Sequence, residues 1–72
     1  MSSMKVAITT PFIKLDSFLK LAGLVGTGGH AKIVISMGEV TVNGEVCTMR
    51  GKKLYVGDTV CFDGQTVEVG EN

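Results

Sequence analysis

The stretch that decides the fold is "GEVTVNGEV", Gly38 to Val46. Val40 and Val42 alternate with polar neighbours, Asn43-Gly44 interrupts them, and Val46 resumes the pattern. Alternation at period two marks a half-buried strand. Asn-Gly suits a two-residue type I′ turn because both residues tolerate positive φ. The stretch therefore predicts a β-hairpin. Downstream, "TMRGKKLYVGD" is a polar, basic loop ending in a turn at Val56-Gly57-Asp58, "TVCF" is a strand, Asp63-Gly64 is another turn, and "QTVEV" is a final strand.

Upstream of the hairpin, Thr27 can cap a helix from about Gly28 to Met37, stopped by Gly38. Ala31, Val34 and Ile35 form its apolar face; Ile33 and Met37 fall on the opposite side at ~100° per residue. "GLVGTGGH" is a glycine-rich corner. Before it, Leu15, Phe18, Leu19 and Ala22 recur at helical spacing, and Gly23 is a natural stop. Thr10-Pro11 reads as N-cap and first helical position, which predicts a helix from about Pro11 to Ala22. "MKVAIT", residues 4 to 9, predicts a short edge strand. The order of elements is α+β, with two helices against one face of a small antiparallel sheet and no linker or internal repeat.

A chain of 72 residues is expected to form one domain, residues 1–72. A domain of this size buries only about 60% of the surface its unfolded chain exposes, so its core is small. No apolar run reaches the ~18 residues of a membrane span, and "MSSMKVAITTPF" lacks the features of a secretory leader, so the expected location is the cytoplasm. Cys47 and Cys61 lie in β-like runs and are expected to be free thiols that pack as small hydrophobes. One histidine and two cysteines without a CxxC pair do not make a zinc site, and no cofactor is expected.

Catalysis finds no support. Ser17 and Ser36 sit in the helices without a surrounding motif, and no carboxylate pair is marked by spacing. Gly29 follows Gly28 where a Walker loop needs lysine, which excludes that kind of nucleotide site. The glycines do leave backbone N–H groups open at a helix start, where a phosphate can bind. The cations Lys14, Lys32 beside His30, and the cluster Arg50, Lys52 and Lys53 are segregated from most of the acids, Glu39, Glu45, Asp58, Asp63, Glu68 and Glu71. The formal net charge is zero, which counts against a free-standing nucleic-acid binder, yet such a chain can still present one positive face. Taken alone, "MRGKK" also reads as an ordinary solvated loop.

The motif order resembles the RNA-binding domain family named after small-subunit ribosomal protein S-four. Lys14-Leu15-Asp16 with Leu19 stands at the family's Arg-Leu-Asp-x-x-Leu, and Thr27-Gly28 with Ala31 at Ser-Arg-x-x-Ala. Gly38, Val40, Val42, Asn43 and Gly44 match Gly-x-Val-x-Val-Asn-Gly, and Gly57, Asp58 and Val60 match Gly-Asp-x-Val. The match covers about residues 13 to 62, and the "GTGG" segment is similar to small stand-alone bacterial members.

The resemblance implies two helices packed on a short, bent antiparallel sheet, the alpha-L RNA-binding motif. It further implies contact with structured RNA, ribosomal or transfer RNA, with ribosome assembly as the setting and the chain as a monomer. The implied surface is the two helix starts and the hairpin-side loop: Lys14, Thr27, Gly28, Gly29, His30, Lys32, Arg50, Lys52 and Lys53. The hairpin would brace those helix starts against the RNA backbone.

Three departures weaken the expected binding. The arginine that members often carry at the start of the second helix is Gly28, and two further positions that are often basic are Ile33 and Ser36. Phe12, Phe18 and Phe62 are expected in the core, so base stacking is not evident. The alternative is a protein-interaction adaptor that docks on a ribosomal protein, or self-associates, through Ile33 and Met37.

Overall fold

A computed structural model describes residues 3–71; Met1, Ser2 and Asn72 of the expected 1–72 domain lie outside the described residues. The elements run β1 (Ser3–Ile8), β2 (Ile13–Lys14), α1 (Leu15–Leu21), α2 (Gly28–Ser36), β3 (Val40–Val42), β4 (Glu45–Val46), β5 (Lys53–Leu54), β6 (Thr59–Phe62) and β7 (Gln65–Glu71). The hairpin forms as its sequence predicts. Asn43 and Gly44 take φ of 51° and 86°, and β3 pairs antiparallel with β4 in the register Thr41↔Val46. β6 and β7 form a second hairpin around Asp63-Gly64.

Both helices end in the same way. Leu24 N–H donates to the Leu19 carbonyl and Gly23 N–H to that of Lys20; at α2, Glu39 N–H donates to Val34 and Gly38 N–H to Ile35. This is the Schellman pattern, which needs a left-handed residue just beyond the cap; Gly23 and Gly38 supply it at φ of 76° and 75°.

Two expectations fail. The sheet is mixed, not antiparallel: five strands in the order β1-β7-β6-β3-β4, with β1 parallel to β7 from Ser3↔Thr66 to Ile8↔Glu71. Local alternation marks a strand but carries no information on its partner. The first helix starts at Leu15, not Pro11. Residues 13–14 instead pair antiparallel with Lys53–Leu54, which places Ile13 against the core. Thr10 Oγ donates to the Phe12 carbonyl at 2.7 Å rather than capping a helix. A Thr-Pro capping signal is worth about 1 kcal/mol, and the gain from pairing and burying this segment exceeds it.

One core joins both layers. Leu15, Phe18 and Leu19 of α1 and Ala31, Val34 and Ile35 of α2 meet Val40, Leu54, Val60, Val67 and Val69 of the strands. Among the described residues no polar or charged side chain is buried. Cys47 and Cys61 are free and half-buried, Cys47 against the core.

Candidate nucleic-acid interface

The loop before β5 is positioned by main-chain bonds to the start of α1. Leu15 N–H donates to the Lys52 carbonyl at 2.9 Å and Asp16 N–H to the Arg50 carbonyl at 3.2 Å. These bonds do the capping that Lys14, the N-cap residue, does not perform with its side chain. They also remove two amides of α1 from any role toward a ligand. What the α1 start offers is side-chain charge: Lys14 and Lys53 are direct cross-strand partners, and Arg50 and Lys52 flank them, all exposed.

Like charges opposed across a ladder destabilise it. Lys53 Nζ lies 4.8 Å from the centroid of the Phe12 ring, a cation–π contact that offsets part of this cost. Among the described residues the only ion pair is Lys5–Glu68, at 3.9 Å on the far edge of the sheet between β1 and β7. The four cations at the α1 start therefore have no acidic partner within that distance. Three acids do lie near the group: Asp16 in the first turn of α1, whose N–H donates to the Arg50 carbonyl; Asp58, whose Oδ2 accepts the Tyr55 N–H two residues past Lys53; and Glu45, which with Lys52 lines a groove of about 340 Å³ between the hairpin and the 47–52 segment.

A second group forms at the start of α2. Thr27 is the N-cap, extended at φ −142° and ψ 161°, and its Oγ accepts the His30 N–H at 3.1 Å. Gly28 and Gly29 N–H have no partner among the described residues, and both glycines are exposed, as are His30 and Lys32. Lys20, from the last turn of α1, belongs here too: its Nζ lies 4.0 Å from where a Cβ on Gly28 would stand. A cation from the neighbouring helix thus covers the spot at which the family's arginine is missing. Sequence spacing could not show this, because Lys20 reaches the site across the corner at residues 22–27.

The structure therefore brings the nine expected residues into two groups: Lys14, Arg50, Lys52 and Lys53 at one end of α1, and Thr27, Gly28, Gly29, His30 and Lys32 at the other. The seven residues of α1 set the spacing at about 10 Å. The hairpin braces only the first group. Asn43 Nδ2 donates to Asp58 Oδ1 at 3.1 Å, and Asn43 Oδ1 accepts the Thr59 N–H at 2.9 Å. Asp58 Oδ2 in turn accepts the Tyr55 N–H at 2.8 Å. The "VNG" and "GDTV" motifs are thus one clasp, which fixes the turn that follows Lys53. Toward α2 the hairpin lies at the wrong end to brace its start, with Val46 beside Gly38.

Phe18 is core and Phe62 packs against it, as expected, but Phe12 is not part of the core. Its ring centroid is 6.1 Å from that of Tyr55, tilted by 49°. Ile33 and Met37 are exposed at 56% and 68%.

Two helices on a mixed sheet, with unneutralised cations at both ends of the first helix, define a small α+β protein of the alpha-L type. The chain belongs to the S4 domain family, whose profile matches residues 6–70. It is 49% identical over 59 residues, 82% of this chain and 83% of the relative, to the probable ribosome maturation protein RlbA of Bacillus subtilis. It is 42% identical over 59 residues, 82% of this chain and 84% of the relative, to the putative RNA-binding protein YbcJ of Escherichia coli. The solution structure of Escherichia coli YbcJ, described as revealing an alpha-L motif involved in RNA binding, matches with a TM-score of 0.68 at 37% identity, over 97% of this chain and 87% of that one.

Proposed function

We propose that this protein is a non-catalytic RNA-binding module that contacts the phosphate backbone of structured ribosomal RNA during ribosome maturation, acting as a monomer in the cytoplasm. The observation that carries the reading is the Lys14–Lys53 pair: two like charges held opposite each other with no acid of the described residues within ion-pair distance. Such an arrangement costs stability in the free protein, and a polyanion removes the cost. The names of the relatives support both parts of the reading, RNA for one and ribosome maturation for the other. Among the described residues no helix is long and apolar enough to cross a membrane. Recognition rests on shape and phosphate position rather than base edges, as is usual for double-stranded RNA.

The test is binding of a structured ribosomal RNA fragment at two salt concentrations, comparing the wild type with Lys32→Ala and with Arg50→Ala/Lys53→Ala. Each phosphate contact removed should flatten the slope of log K against log salt by roughly 0.7–0.9. Unchanged affinity and slope in both variants would remove the proposed surface. If such variants still sedimented with ribosomal particles, docking on a ribosomal protein through exposed Ile33 and Met37 would be the better account.

A further inference from the structure

We propose that Tyr55, backed by Phe12 and Lys53, is a stacking platform for one unpaired base of the bound RNA. The inference rests on the RNA-binding reading above and goes beyond it, because it adds a preference for RNA that carries a bulged or looped-out nucleotide. Tyr55 is half exposed, at 50%, whereas Phe18 is buried and Phe12 and Phe62 are partly buried, so among the described residues it is the aromatic ring most open to solvent. Its backbone is fixed on both sides: its N–H donates to Asp58 Oδ2 at 2.8 Å, and its carbonyl accepts the Asp58 N–H at 2.9 Å. Little backbone freedom is left to lose when a base stacks on the ring.

The surroundings suit a nucleotide. Phe12 supports the ring at a centroid distance of 6.1 Å, and Lys53 Nζ sits over Phe12 at 4.8 Å. Lys53 is also the cross-strand partner of Lys14. The aromatic pair therefore adjoins the cation group assigned to the RNA backbone. An aromatic face beside backbone-tracking cations is the arrangement by which proteins hold unpaired nucleotides; the base stacks while its phosphate meets the charge. No base-edge donor is required, so the platform accepts any base.

The chain has one tyrosine and no tryptophan, so its intrinsic fluorescence reports Tyr55 alone. The probe is a ribosomal RNA hairpin with one unpaired adenine, compared with the same hairpin in which that adenine is paired. The bulged hairpin should quench the tyrosine emission and bind the wild type more tightly than the paired one. Tyr55→Ala should weaken binding of the bulged hairpin by about five- to a hundred-fold and leave the paired hairpin unaffected, whereas Tyr55→Phe should keep the wild-type preference. Equal quenching by both hairpins, or an unchanged affinity of Tyr55→Ala for the bulged one, would overturn the platform and leave the phosphate surface standing. Failure of the wild type to bind either hairpin would overturn both.

Discussion

Replacing Asn43 separates two contributions that the clasp combines. The residue holds φ at 51°, and its side chain bonds Asp58 at 3.1 Å and Thr59 N–H at 2.9 Å. Asn43→Ala places a Cβ-bearing residue without a compensating side chain in the left-handed region, at a cost of roughly 1 kcal/mol. It also removes two well-formed hydrogen bonds, each worth roughly 0.5–1.5 kcal/mol net. The expected total is about 2–4 kcal/mol, a large share of the ~4–11 kcal/mol usual for a domain of this length. At about 4–8 °C per kcal/mol for a chain of this size, the melting temperature should fall by roughly 10–30 °C. Asn43→Gly keeps the turn conformation and loses only the bonds, so its loss should be smaller by about 1 kcal/mol. Urea denaturation followed by circular dichroism measures both. A loss below about 0.5 kcal/mol in Asn43→Ala, or equal losses in the two variants, would refute the reasoning.

Two further outcomes are expected. Lys14→Gln should leave stability unchanged or raise it by about 0.2–1 kcal/mol, since it removes a repulsive cross-strand pair, while RNA affinity falls; denaturation and binding run on the same preparation check the opposite signs. Thr27→Ala removes the side-chain cap at the start of α2 and should cost about 1 kcal/mol in the same denaturation assay, while Thr27→Ser keeps the acceptor and loses little.

What could be read from the sequence was what local chemistry decides. Asn43-Gly44, Thr27 ahead of α2, and the stops at Gly23 and Gly38 each depend on the few residues around them, and each appears where its residue type predicts. The apolar stripe of α1 was legible for the same reason. Its start was not, because Thr10-Pro11 is a sound capping signal that says nothing about Lys53–Leu54, the segment that claims residues 13–14 for a strand. The direction of β1 against β7 was hidden likewise. At the candidate site, the cations were legible as residue types but their grouping was not. Lys20 joins the α2 start only through space, and Phe12, outside the core, meets Tyr55 more than forty positions along the chain.

The parallel pairing of β1 with β7 imposes an order on how the molecule comes together. Ser3 finds Thr66 and Ile8 finds Glu71, so the opening strand has no neighbour until the end of the domain has been made. Closing a loop of that length costs on the order of 4 kcal/mol in chain entropy before the pairing returns anything. The helices and the two hairpins close over short distances and can assemble while synthesis continues; the outermost strand docks last, onto an edge that β6 and β7 have already built. During that interval residues 3–8, rich in apolar side chains, must stay unpaired, and of its side chains only that of Lys5 carries the charge that discourages pairing with another chain.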